Sequence, residues 1–433
     1  MTAHSLLSAG SLGPARWVNS LVANAGFALA WAAAAMLLVV LPLIFKSDSA
    51  IAVMCIIGVS VVFALSYNML LGQAGLLSFG HAIFFGLGGF CAIHVMNAVA
   101  ASHAPVPLVL IPLVGGLGGL FFGIVFGSLA SKRGGTIFAM ISFGLGELVS
   151  SAAPILNRFF GGETGITTDR SALYAPFGMN FGPQIQVYYL IAGWCFISSL
   201  AMYFVTRTPF GQIMRAVREN PERLEFIGCS TRRVRFVAFI LAAFFAGVAG
   251  ALAAINFEIM TVSNVGGNQS AMVVLMTYIG GIGYFVGPVI GAVLITLMQI
   301  LLSDITAGWQ MYLGILFVVV VMYAPGGIAA LFGPEGMAAQ AWHSPRQFVL
   351  VMPMLLTVVG GMLLIELGYQ VGLKSSDGPI RVLFGIAVNS RSPLPWLVGL
   401  ALVIGSFCGL RFATAPADRM PAVLRELTGV PHG

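Results

Sequence analysis

Charge is what this chain has least of. Only 8% of its 433 residues are Asp, Glu, Lys or Arg, while 59% are hydrophobic, against roughly a quarter charged in an average soluble domain. Too little polar surface is available to wrap a water-soluble fold of this length, which leaves the bilayer as solvent. Five cysteines, Cys55, Cys91, Cys195, Cys229 and Cys408, form no Cys-x-x-Cys pair. They offer neither a disulfide framework nor a zinc site, and they read as small packing residues. No Gly-x-x-x-x-Gly-Lys-[Ser/Thr] loop is present, so ATP binding through a P-loop is not expected. His-Glu-x-x-His and Gly-x-Ser-x-Gly are missing as well, and ionisable groups inside apolar runs are few, which argues against an intramembrane enzyme or a proton relay. No cofactor or metal is expected.

Long apolar runs are abundant. Crossing about 30 Å of hydrocarbon at 1.5 Å per residue takes roughly 18 or more residues. Runs meeting that length are Phe27–Phe45, Ala50–Leu71, Ala82–Ala101, Pro107–Ala130, Thr136–Ala153, Gln186–Thr206, Phe236–Ile255, Gln347–Ile365 and Pro395–Phe412. Gln269–Leu302 is too long for one helix and is interrupted by Gly280, Gly281, Gly283, Gly287 and Pro288, so it reads as two short spans. Trp309–Tyr323 is a further short span with an aromatic residue at each end. The expected fold is all-α, a polytopic transmembrane helical bundle of about ten core spans plus two C-terminal spans. The boundaries are an N-terminal segment 1–26, a transmembrane domain 27–332, and a C-terminal extension 333–433. Phe27–Phe45 is long for a signal-peptide core and is read as a retained helix.

The net charge of +6 sits between the apolar runs, as in cytoplasmic loops of membrane proteins, and gives no reason to expect nucleic-acid binding. The longest basic loop, 207–235, holds seven arginines and three acids and is placed in the cytoplasm. Counting spans backwards puts Lys132, Arg133 and the N-terminus with Arg16 on the same side, and the loop 154–185 outside. Counting forwards leaves Lys374, Arg381 and Arg391 outside, against the rule. Glycines repeat every fourth residue at Gly115, Gly119, Gly123 and Gly127, a seam on which helix backbones pack closely or slide. A faint echo links the glycine-rich segments 72–89 and 280–291, of the kind internal transporter repeats leave.

Polar residues gather where the second span meets the third: Asn68, Gln73, Ser78 and His81, interleaved with Gly72, Gly75 and Gly80. Irregular backbone at membrane depth needs protein or a water-filled cavity to satisfy it, so the segment reads either as pathway lining or as a polar cytoplasmic turn. Glu147 lies inside a span, where a carboxylate needs a partner or water, and is a candidate for the solute path or a structural anchor. His94 reads as a packing histidine. Residues 208–224 suit short amphipathic helices, with Arg215–Glu219 and Arg218–Glu222 four apart. Such pairs contribute roughly 0.2–0.5 kcal/mol each, so the segment is expected to dock on lipid headgroups or on a cytoplasmic partner.

Five ordered segments resemble the permeases of branched-chain amino acid ABC transporters, specifically the longer, second permease of the pair. They are Leu71–Ala82, with Leu-Ser-Phe-Gly-His-Ala at its end; Phe160-Gly-Gly-Glu-Thr-Gly-Ile166; the loop from Thr208-Pro-Phe-Gly211 through Arg215-Ala-Val-Arg-Glu-Asn220 to Gly228, continuing into Ala246–Leu252; Gly280–Ala292; and Ala324-Pro-Gly-Gly-Ile-Ala-Ala-Leu331. The resemblance covers residues 27–332. It implies import of leucine, isoleucine and valine across the bacterial inner membrane, or, in close relatives, of urea, short amides or other small solutes. The implied partners are a second homologous permease, two cytoplasmic ATPase subunits and a periplasmic solute-binding protein. Under this resemblance Pro209, Phe210, Gly211, Arg215, Arg218, Glu219 and Asn220 belong to the helix that couples to an ATPase subunit. An ion-coupled secondary transporter is the competing class, disfavoured by the scarcity of carboxylates within the spans. Residues beyond about 340 depart from the family pattern.

Overall fold

The computed structural model describes residues 14–174, 181–305, 308–323 and 326–331, and beyond them a few positions between 360 and 367 together with 380–383, 386–389 and 393–413. The span expected over Gln347–Ile365 lies mostly outside the described residues. Helices α1 (Pro14–Ile44), α2 (Asp48–Asn68), α3 (Ala82–Ser102), α4 (Ile111–Ala130) and α5 (Gly135–Ala152) form the first half. A short α6 (Asn157–Phe160), α7 (Gln184–Arg207), two helices α8 (Pro209–Glu219) and α9 (Pro221–Phe226), α10 (Thr231–Phe257), α11 (Gly267–Gly280), α12 (Gly287–Ile305), α13 (Trp309–Tyr323) and α14 (Gly327–Leu331) follow. Among the described residues six helices are long and apolar enough to cross a membrane, and shorter apolar helices accompany them. The protein is an all-α polytopic membrane bundle, as its composition requires. In the C-terminal part a hairpin of Ile380–Leu383 and Ile386–Asn389, unexpected from the apolar pattern, precedes a helix over Pro393–Ala413.

The glycine row on α4 is a packing seam against α10. A Cβ at Gly115 would stand 2.4 Å from the Ala251 Cβ, and one at Gly119 would stand 2.3 Å from the Ala243 carbonyl oxygen. Without side chains the two backbones touch, and dispersion replaces the hydrophobic drive that lipid cannot supply.

Two places break the helical order inside the bundle, and both turn the chain back on itself. Helix α2 widens into a π-helical turn, Met69–Gln73, and the next residues return alongside it, so that His81 Nε2 lies 3.0 Å from Ser66 Oγ. Ser66 is about 10 Å back along the helix from Gln73 at 1.5 Å per residue, which starts α3 inside the bilayer rather than at its surface. After α10 the chain does the mirror-image thing. Residues 258–266 descend along α3, with Met260 against Gly89 and Val265 against Gly86, and α11 then starts within the bundle. The two internal starts meet, because Ser270 Oγ of α11 accepts the Ala82 N–H of α3 at 3.1 Å.

Around this meeting point α4 packs on α3 and α10, while α12 packs on α11 and α2. That pairing is the pattern of two repeats of opposite sense. The glycine-rich segments 72–89 and 280–291 therefore touch without being counterparts: a Cβ at Gly72 would lie 2.9 Å from the Ile282 carbonyl oxygen. By element order, the counterpart of the first turn-back is 258–266.

Candidate functional site

The site is built on the first turn-back and what grips it. Asn68 closes α2 with its side chain buried, and its Oδ1 finds no hydrogen-bond partner. That oxygen lies so near Gly72 that a Cβ there would stand 2.1 Å away. Gln73 ends the π turn, and its Oε1 accepts a hydrogen bond from Arg215 Nε at 2.7 Å. The Gly72 carbonyl accepts from Arg218 Nη1. Gly75 adopts the left-handed region (φ +69°) and its Cα packs on the Arg218 side chain, where a Cβ would stand 2.8 Å from Cγ. Two arginines of α8 thus hold the carbonyl and amide oxygens freed where α2 stops.

Helix α8 is placed for this grip by local chemistry. Thr208 Oγ1 accepts the Gly211 N–H at 3.3 Å as N-cap, and Pro209 occupies the first turn, where its missing N–H costs nothing. Gly211, Met214 and Val217 are buried, with Phe210 half-buried beside them, and Arg215 and Arg218 flank that apolar stripe. Asn220 Oδ1 then caps α9 by accepting the Arg223 N–H at 3.0 Å. Glu219 is exposed. The Arg215–Glu219 and Arg218–Glu222 pairs that the spacing suggested do not form; among the described residues the ion pair observed is Arg170–Glu258. A charge-assisted bond to a carbonyl left unpaired by a helix end is worth about 1.5–3 kcal/mol, well above an exposed pair on one helix.

Further up the turn-back, Ser78 and His81 are fully enclosed, and neither Ser78 Oγ nor His81 Nδ1 has a partner. The His81 ring stacks on Phe63 at 5.6 Å and meets Tyr67 edge-on at 5.3 Å. The Phe79 N–H donates to Ser142 Oγ at 3.2 Å, tying the segment to α5. Glu147 sits on α5 beyond Ser142, exposed and without an ion pair or hydrogen bond to any described residue, and its Oε1 lies beside Gly267 at the start of α11. Asn68, Gln73, Ser78 and His81 therefore share one irregular segment, while Glu147 stands apart on the neighbouring helix. Gln73 faces α8.

Ser66, Ser142 and Ser270 escaped sequence reading. Each is a lone hydroxyl in an apolar run, and the partners lie 15 to 188 residues away. His94 packs as expected, its Nε2 2.9 Å from the Phe159 carbonyl oxygen.

The chain matches the family model for the branched-chain amino acid transport system permease component over residues 49–325. It is 23% identical over 296 residues to the high-affinity branched-chain amino acid transport system permease protein LivM of Escherichia coli, covering 64% of this chain and 68% of that protein. The LivM protein of Salmonella typhimurium is 24% identical over the same length, with the same coverage. The probable branched-chain amino acid transport permease protein LivM of Methanocaldococcus jannaschii is 24% identical over 339 residues, covering 63% of this chain and 90% of that protein. No solved structure matches it. With a matched region that takes in both turn-backs and the arginine-bearing α8, this membrane-embedded chain belongs to the branched-chain amino acid permease family and is a transport subunit by kind.

Proposed function

We propose that this chain is a permease subunit of an ATP-binding cassette importer that carries leucine, isoleucine and valine across the bacterial inner membrane. In this reading it works with a second homologous permease, two cytoplasmic ATPase subunits and a periplasmic solute-binding protein, and its N-terminus and the 207–235 loop are cytoplasmic. The observation that carries the reading is the grip of Arg215 and Arg218 on Gln73 and Gly72. An amphipathic helix outside the bundle is bonded directly to the broken helix inside it. Displacement of α8 by a closing ATPase then pulls on the first turn-back, whose enclosed residues Asn68, Ser78 and His81 move with it and reshape the solute path beside them.

Phe226 is 89% exposed and Ile227 73% exposed beside α8. Large apolar groups left bare in a basic loop suit a protein partner better than water. ATP hydrolysis belongs to that partner, and no covalent chemistry is assigned to this chain.

The test is the complex reconstituted from the transport genes encoded together, measuring leucine uptake and ATP hydrolysis in the same vesicles. Arg215→Ala with Arg218→Ala is expected to leave hydrolysis running and to cut uptake at least tenfold. Unchanged uptake in that variant, or gradient-driven uptake by the purified chain alone, overturns the reading. A complex that moves urea or short amides and none of the three amino acids overturns the substrate while keeping the mechanism.

A further inference from the structure

Glu147 stands about 18 Å along α5 from Gly135 at 1.5 Å per residue, and the boundary there is marked by Arg235, whose guanidinium packs on Gly134. That places it inside the span, about two thirds of the way along α5, with five residues of helix beyond it. A charged group at such a depth is costly unless water or a partner meets it, yet Glu147 is exposed on this chain and makes no ion pair or hydrogen bond with any described residue. The surface around it is the barest of the long spans, with 22% of α5 buried. Its own face of the helix carries Gly144, where a Cβ would meet open space, the exposed Ser151, and the apolar Met140 and Phe143, 75% and 51% exposed. Phe79, whose N–H is bonded to Ser142 on the same helix, is 42% exposed. Beside the carboxylate, the first turn of α11 presents the positive end of a helix dipole.

We propose that Glu147 faces the solute path and binds the ammonium group of the transported amino acid, with Phe79 and Phe143 offering apolar contact to its side chain. This rests on the amino-acid permease reading above and deepens it. An unpaired carboxylate selects a cation, and of the two substrate classes considered only amino acids carry one; urea and short amides are neutral. An aliphatic side chain next to that cation needs the apolar neighbours that the two phenylalanines supply.

The full complex tests it with radiolabelled leucine delivered by saturating binding protein. Glu147→Gln is expected to lower uptake per complex at least tenfold at unchanged complex yield, and Glu147→Asp to restore part of it. In the same complex Glu147→Cys is expected to react with a cationic methanethiosulfonate at least tenfold faster than Leu148→Cys, its exposed apolar neighbour, and leucine turnover should slow that labelling. Wild-type uptake by Glu147→Gln overturns the assignment. So does a loss explained by poor assembly, which marks a subunit contact, or labelling at Glu147→Cys no faster than at Leu148→Cys. Absence of leucine uptake by the wild-type complex instead sinks the substrate reading, and this assignment with it.

Discussion

The two turn-backs use the same backbone device and are secured in opposite ways. The one after α10 is stapled from within its own loops. Ile166 and Thr167 pair antiparallel with Met260 and Ile259, and Arg170 donates to the carbonyls of Phe181, Gly182, Ile255 and Asn256 and to Gln184 Oε1. The one after α2 has no strand partner among the described residues; its far end is tied to Ser66, Ser142 and Ser270, and its near end is held by Arg215 and Arg218, both on a helix outside the bundle. A staple closed on itself resists motion, whereas a clamp anchored on α8 moves when α8 moves. In the importer proposed above, the second arrangement is the one through which an ATPase subunit would act.

The largest expected effect tests the staple. Arg170→Ala strips four carbonyls and one amide oxygen of their donor in a site where the arginine side chain is 11% exposed, at a cost on the order of 3 kcal/mol. The Arg170–Glu258 ion pair adds little, since Glu258 is 38% exposed and the separation is 3.7 Å. Thermal unfolding of the purified protein should show a clear fall in Tm; an unchanged Tm breaks the comparison at its outer end.

Next in size is a glycine exchange at each turn-back. Gly165 has φ +76° and ψ −168°, a region that glycine alone occupies readily, and a Cβ there would stand 2.2 Å from the Met260 carbonyl oxygen. Gly165→Ala is expected to destabilise by roughly 2–3 kcal/mol. Gly75→Ala has φ +69° to accommodate, and its Cβ meets the root of the Arg218 side chain, 2.8 Å from Cγ and 3.2 Å from Cβ, with the Arg218 Cα 3.4 Å away; it should cost about 1 kcal/mol in backbone strain and lower uptake by pushing α8 off the turn-back. Equal Tm losses in the two variants would remove the distinction between staple and clamp.

Much of this was legible beforehand. The boundaries of α3 and α13 match the expected apolar runs to within a residue, and the break between α11 and α12 follows from its glycines, whereas α10 starts at Thr231, five residues before the expected Phe236, and carries Arg232, Arg233 and Arg235 in its first turns. The polar cluster at Asn68–His81 was equally visible. Gln73 at the end of the π turn meets α8, while Ser78 and His81 are drawn back into the bundle. What stayed hidden was who holds whom. Arg215 and Gln73 are 142 residues apart, and a local i,i+4 partner is the only one that sequence spacing can propose. The orphaned oxygens that outbid Glu219 and Glu222 come into being only when α2 ends in a π turn.

A smaller effect isolates the clamp itself. Gln73→Ala and Arg215→Ala remove opposite ends of one hydrogen bond, so in a double-mutant cycle on leucine uptake their effects should fall short of additivity by about 1 kcal/mol. The same cycle between Gln73→Ala and Arg223→Ala, whose backbone rather than side chain is engaged by Asn220, should add. Full additivity in the first pair would show that the contact carries no coupling.

The smallest effect separates the two ends by pH. In the outer loop Asp169 accepts the Ser171 N–H at 2.8 Å and the Ser171 hydroxyl at 2.6 Å. These bonds hold its carboxyl below its ordinary range, with the adjacent Arg170 adding to the shift. A carboxyl depressed in the folded state contributes stability that is present above its unfolded pKa and is lost as pH falls through the folded one. The inner clamp joins arginines to an amide and a carbonyl and contains no carboxylate. Mild acid should therefore loosen the outer loop slightly and leave the inner one alone, and because Asp169 is solvent-exposed the change is small. Asp169→Asn should flatten the acid limb of outer-loop amide exchange near Ser171 without altering exchange at Gly72–Gly75. Acid sensitivity at Gly72–Gly75 in the wild-type protein that disappears in Asp169→Asn would mean that the two turn-backs are coupled through α3 and α11 more tightly than their separate fastenings suggest.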